Sequence, residues 1–191
     1  MSFDLYLASS SPRRSELLTQ IGVQYRIVKI DVPEVPGPNE EPEVFAMRLA
    51  IDKARAGWDS LDETARKPVL GADTVVVIDG EILGKPRDQT HGLAMLAKLS
   101  GRTHEVITAV ALMDGEIHTC LSCSQVSFAE MTNEERVSYW QTVEPEDKAG
   151  GYAIQGLAAK FIRHLSGSYS GVMGLPLYET AGLLKDAGIT V

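Results

Sequence analysis

Short apolar runs alternate along this chain with stretches in which apolar residues recur every three or four positions, the pattern of strands interleaved with helices. Leu5, Tyr6, Leu7 and Ala8 form the first run and predict a buried strand. Ser11-Pro12 follows, with Pro suited to the first helical position and Ser to the cap before it. Leu17, Leu18 and Ile21 then recur at helical spacing, and Gly22 is placed to stop the helix. Residues 25–30 predict a second strand, and residues 31–42, rich in Pro and Glu, a loop ahead of a helix over about 43–56. The run Val69–Ile78 is strongly β-branched, and Asp79-Gly80 is a two-residue turn leading back into Glu81-Ile82-Leu83. A helix over about 90–99 comes next, then strands over about 104–113 and Ile117–Phe128 joined at Asp114-Gly115. Thr132 and Glu135 have the spacing of a capping box for a helix through Tyr139 and Trp140. The glycines at 150, 151 and 156 predict loop, residues 161–165 a strand and residues 176–187 a closing helix.

Strands and helices that interleave in this way, with at least two hairpins, predict an α/β fold around a mixed sheet. The 191 residues are enough for one well-packed domain, at most drawn out into two lobes. No repeat, low-complexity tract or linker divides them, so residues 1–191 are expected to form a single domain.

Composition narrows the function classes. Hydrophobic residues make up 44% and charged residues 23%, ordinary for a globular protein. No run of about 18 apolar residues offers a membrane span, and the first ten residues lack the basic and apolar segments of a secretory signal. A cytoplasmic location is expected. The net charge of −8 disfavours nucleic acid and anionic membranes as partners. A small anionic ligand then needs cations gathered locally.

Ser9-Ser10-Ser11-Pro12-Arg13-Arg14 is one such gathering: hydroxyls, helix-start N–H groups and two guanidinium groups after a buried strand. Ser9, Ser11, Arg13 and Arg14 are candidate phosphate contacts; the alternative is a capped helix with two solvated arginines. Asp73, in Gly71-Ala72-Asp73-Thr74, lies within an apolar strand, where a carboxylate needs a partner or a metal. Lys53 on the second helix and Lys85 in Gly84-Lys85-Pro86 can reach a phosphate or snorkel to solvent. Glu34 can supply a second carboxylate to a divalent cation.

Other motifs fail on inspection. Gly80 to Lys85 is one residue short of a P-loop and has Pro86 where Ser or Thr is required. Gly167-Ser168-Tyr169-Ser170-Gly171 carries Tyr at the nucleophile position of an elbow. Cys120 and Cys123 have C-x-x-C spacing within a strand, with no second pair, and are expected to be ordinary buried thiols. The four histidines show no ligand spacing.

Taken in order, several segments resemble the Maf family of nucleoside triphosphate pyrophosphatases: Leu7-Ala8-Ser9-Ser10-Ser11-Pro12-Arg13-Arg14, Lys53-Ala54, Gly71-Ala72-Asp73-Thr74, Gly84-Lys85-Pro86, Ser100-Gly101, Asp147-Lys148-Ala149-Gly150, Ile154-Gln155-Gly156 and Gly174-Leu175-Pro176-Leu177. The resemblance implies an elongated, two-lobed, ITPase-like fold with a central mixed sheet and a cleft between the lobes. It also implies a divalent metal and a homodimer; the ion, Mg²⁺ or Mn²⁺, is expected on Asp73 with Glu34 as the second carboxylate. By the same resemblance, Asp73 activates water for attack at the α-phosphorus of a nucleotide substrate; Ser9, Ser11, Arg14, Lys53 and Lys85 are the residues expected on its phosphates. Arg13, Thr74 and Gln155 fall where nucleotide choice is set. All three match the branch acting on dTTP and UTP. The branch acting on 7-methyl-GTP resembles Ser-Pro-Trp-Arg, Gly-Ser-Asp-Gln and a Glu before the late Gly. A carboxamide at Gln155 can both donate to and accept from a pyrimidine edge, whereas a Glu only accepts. One position departs from the pattern: Val32-Pro33-Glu34 stands where relatives often have Val-Asp-Glu. The alternatives are a pyrophosphatase for 7-methyl-GTP or altered purines, and a non-catalytic nucleotide-binding regulator of cell division.

Overall fold

The computed structural model describes residues 3–191. Among the described residues seven strands and six α-helices follow in order: β1 (Leu5–Leu7), α1 (Pro12–Gln20), β2 (Tyr25–Ile27), α2 (Pro42–Asp59), β3 (Val69–Ile78), β4 (Glu81–Leu83) and α3 (Gln89–Leu99). Then come β5 (Thr103–Met113), β6 (Ile117–Phe128), α4 (Asn133–Trp140), β7 (Ile162–Ser166), α5 (Tyr169–Met173) and α6 (Leu177–Asp186). The strands hydrogen-bond in the order β2-β1-β3-β5-β6-β7, with β4 paired to β3. β1 runs parallel to β2 and β3, whereas β4 and β7 run antiparallel to β3 and β6. The expected α/β fold with a mixed sheet is therefore present.

Two compact units share the chain. One takes in the chain up to Asp73 together with Thr108–Ser122 and Gly174–Val191; the other is Thr74–Ile107 and Cys123–Met173.

In the first unit Leu5, Leu7 and Ala8 are wholly buried, as are Leu18, Ala46, Ala50 and Ala54 on the helices. α2 packs unusually close to β3, and small residues make that possible. A Cβ built on Gly71 would lie 2.4 Å from the Ala50 carbonyl oxygen and 2.6 Å from the Ala54 nitrogen. On the helix side, a Cβ at Gly57 would lie 2.7 Å from Val69 Cγ1. Any side chain at either glycine would force the helix off the strand.

The second unit has its own core, built from Val76, Leu96, Val106, Phe128, Tyr139 and Phe161 among others. The capping box at α4 forms as its sequence requires, with Thr132 Oγ1 accepting from Glu135 N and Glu135 Oε2 accepting from Thr132 N. The β3–β4 hairpin turns on Asp79 and Gly80, both at positive φ (53° and 76°), as a two-residue turn of this hand demands. Three features differ from the sequence reading. β2 stops at Ile27, α2 continues to Asp59, and α5 is a five-residue helix that no periodicity announced.

Candidate functional site

Ser9 follows β1 and is buried, and its hydroxyl is an acceptor twice over: Ser11 N and Arg14 Nη1 each donate to Ser9 Oγ at 3.2 Å. Ser11 occupies the cap position of α1 in extended conformation, but its side chain makes no capping hydrogen bond. Pro12 at the first turn removes one of the N–H groups a cap would serve. Arg14 is fixed from its other side, donating from Nε to the Gly174 carbonyl at 2.8 Å. That anchor lies 160 residues along the chain, and nothing local in the sequence signals it. Burial lowers the Arg14 pKa and the neighbouring Arg13 charge lowers it further, while the carboxylates of Asp73 and Glu34 oppose both. The helix-start arginine therefore feels the carboxylate cluster of the same unit.

That cluster centres on Lys53. Its ammonium, on a side chain 8% exposed, donates to Asp73 Oδ1 at 2.6 Å and to Glu34 Oε1 at 2.5 Å. Asp73 is likewise buried, so the charge that the apolar strand could not leave alone is paired. Glu34 is more open, at 41% exposure, and is carried by the loop before α2. Arg48 ties that loop down: Nε and Nη2 donate to the two Glu40 carboxylate oxygens at 2.7 Å, and Nη2 also donates to the Val35 carbonyl at 3.2 Å. The Arg48 guanidinium, with the Gly37 N–H, holds the Glu40 carboxyl down to about 2.

Two carboxylates converging on one cation present the hard oxygen donors that Mg²⁺ or Mn²⁺ favours, and such ions commonly bind through one or two carboxylates plus substrate phosphate. Asp73 and Glu34 thus fit a divalent ion by donor chemistry. Among the described residues no group of three or more His, Cys, Asp or Glu forms a protein-only cage.

Thr74 follows Asp73 on β3 and so faces the opposite side of the sheet, where it is the one half-buried position of the strand. Lys85 and Gln155, both exposed, belong to the second unit. The loop bearing Lys85 is pinned by Gly150 N donating to the Gly84 carbonyl at 3.1 Å. The structure therefore brings Ser9, Arg14, Lys53, Asp73 and Glu34 together in one unit, along with Ser11 and Arg13 on the same turn, while Thr74, Lys85 and Gln155 lie in the other. Cys120 is half-buried and Cys123 exposed, which corrects the expectation of buried thiols. Three residues apart on β6, they point to opposite faces and cannot act as a pair.

A family profile described as Maf-like protein matches residues 4–187, nearly the whole chain. The chain belongs to the Maf family. Among similar proteins, the dTTP/UTP pyrophosphatase of Alkalilimnicola ehrlichii is 59% identical, the match covering 95% of this chain and 92% of that protein. The dTTP/UTP pyrophosphatase of Escherichia coli K12 is 50% identical over the same shares of both chains. A solved structure, the Staphylococcus aureus Ham1 protein, superposes with a TM-score of 0.52 over 96% of this chain and 99% of that one. At 12% identity that likeness concerns the fold alone.

Proposed function

We propose that this Maf protein hydrolyses dTTP and UTP at the α–β phosphoanhydride, releasing the nucleoside monophosphate and pyrophosphate and so clearing the nucleotide pool. The observation that carries the reading is buried Lys53 bridging buried Asp73 and the more open Glu34, with both carboxylates acting on Arg14, in a chain 59% identical to a dTTP/UTP pyrophosphatase. In this reading Asp73 accepts a proton from the attacking water as its oxygen bonds to the α-phosphorus and the bond to the bridging oxygen breaks. Lys53 orients that carboxylate from one side. Phosphate contacts fall to Ser9, Ser11, Arg14, Lys53 and Lys85, whose hydroxyls, ammonium groups and fork-shaped donors suit phosphate oxygens. Arg13, Thr74 and Gln155 set nucleotide choice, Gln155 by pairing its carboxamide with a pyrimidine edge.

Asp73 and Glu34 would hold the divalent ion, which when bound neutralises phosphate charge. Positioning and fixed charge are what phosphoryl chemistry chiefly requires. A homodimer in the cytoplasm, acting on free nucleotides, completes the reading. No helix among the described residues is long and apolar enough to cross a membrane.

The test is a panel of dTTP, UTP, CTP, ITP and 7-methyl-GTP with Mg²⁺ or Mn²⁺, scored for monophosphate and pyrophosphate. Preference for dTTP and UTP is expected. Preference for either purine overturns the specificity, and tight UTP binding without turnover overturns the enzymatic reading in favour of a nucleotide-binding regulator.

A further inference from the structure

Within the second unit, the segment that carries Gln155 has no side-chain cap of its own. The short 3₁₀ turn Leu157–Phe161 begins at Gly156, which has none to offer. Its first N–H groups are instead met from 13 and 14 residues upstream: Leu157 N donates to Glu144 Oε2 at 2.9 Å, and Ala158 N to Glu144 Oε1 at 3.3 Å. The same Oε1 accepts from the buried Tyr139 hydroxyl at 2.7 Å, and that hydroxyl in turn accepts from Ala153 N at 3.3 Å. Backbone on both sides of the exposed Gln155 is thus fastened to one carboxylate–phenol pair. Gly156 is shaped to the carboxylate, since a Cβ there would lie 2.2 Å from Glu144 Oε2.

Glu144 is itself held hard. Its carbonyl accepts from Lys148 Nζ at 2.7 Å, and its N–H donates to Thr142 Oγ1 at 3.4 Å, a hydroxyl that donates to the Tyr139 carbonyl at 2.7 Å. The residue before it, Val143, sits at a φ of 66°, in the left-handed region that a β-branched side chain strongly disfavours. Strain of this kind persists only where the surroundings enforce it.

We infer that Glu144 is a positioning residue for base recognition, fixing the backbone from which Gln155 presents its carboxamide. This rests on the reading of Gln155 given above. The chemistry calls for a carboxylate. Three donors converge on its two oxygens, and a carboxamide in its place turns one N–H₂ donor against them.

The test compares full-length wild type with Glu144→Gln and Gln155→Ala. Hydrogen–deuterium exchange over residues 153–158 reads the fastening without any substrate, and kcat and KM for UTP and ITP read base choice. Glu144→Gln is expected to speed exchange there and to narrow the UTP-over-ITP ratio of kcat/KM by roughly tenfold, mainly through KM, with kcat for UTP near wild type. Unchanged exchange or an unchanged ratio overturns the proposal. Should Glu144→Gln not fold, Tyr139→Phe removes only the hydroxyl between Glu144 and Ala153; it is expected to narrow the ratio less, and a ratio it leaves unmoved is equally fatal. Gln155→Ala tells two failures apart. A ratio unmoved in that variant overturns the reading of Gln155 itself, whereas a ratio lost there but kept in Glu144→Gln overturns the role of Glu144 alone.

Discussion

The Lys53 ammonium lies 2.6 Å from the Asp73 carboxylate with both side chains buried, so removing the ammonium strands that carboxylate, whereas removing the Asp73 charge leaves the ammonium paired with the more open Glu34. Breaking such a pair from one side typically costs about 3–5 kcal/mol. Lys53→Met is accordingly expected to lower unfolding free energy by about that much in urea at neutral pH. The double variant Lys53→Met with Asp73→Asn should regain part of the loss, because the stranded carboxylate is then gone. Equal stability of single variant and wild type would show the pair to be inert.

Asp73→Asn alone keeps the shape of the side chain and removes its basicity. Pyrophosphate release from UTP is expected to fall on the order of 10²-fold or more. A variant as fast as wild type would remove Asp73 from the chemistry.

Gly71→Ala tests the packing that brings the pair together. Its new methyl would meet the Ala50 carbonyl, which is backbone and cannot turn aside. Overpacking of this kind costs about 1–3 kcal/mol, and the displacement of α2 should slow turnover as well, although Gly71 has no functional group. A melting curve and a UTP rate on the same preparation check both effects.

His104 supplies a pH dependence. Its imidazole is 2% exposed, bonded through Nε2 to the Tyr152 hydroxyl at 2.7 Å, and burial pushes its pKa from 6.5 down to about 4. The unfolded chain therefore binds a proton between those values that the folded chain refuses, and this contribution to stability falls as pH drops through that window. The loss from this group is about 3 kcal/mol by pH 4. Urea midpoints at pH 7 and pH 4.5 should differ less in His104→Gln than in wild type.

Chelation gives a fifth check. With EDTA in excess, hydrolysis of UTP is expected to stop and to return on adding Mg²⁺ or Mn²⁺. Glu34→Gln should raise the metal concentration needed for half-maximal rate. Full activity in EDTA would remove the metal from the reading.

Where a local signal was strong, the sequence foretold the fold closely. β3 and β6 have the predicted bounds because β-branched runs met unambiguous turns, and the α4 cap formed because both of its partners lie within one turn. β2 ends early because its partner β1 is only three residues long, which limits the ladder whatever residues 28–30 prefer. α2 runs past Gly57 because that glycine serves a close approach to Val69 and does not end the helix. Asp73 stood out as a carboxylate in an apolar strand, but its contact with Lys53 did not. Those residues meet only through the docking of a helix on a strand, and no spacing encodes that.

The bond from Arg14 to the Gly174 carbonyl has a consequence for synthesis. A nascent chain has its Ser-Pro-Arg-Arg turn long before residue 174 leaves the ribosome, so the guanidinium waits for its anchor until translation is far advanced. Products cut short before that point would carry the charged side chain without the geometry that aims it, and truncated copies in a cell should contribute nothing to turnover.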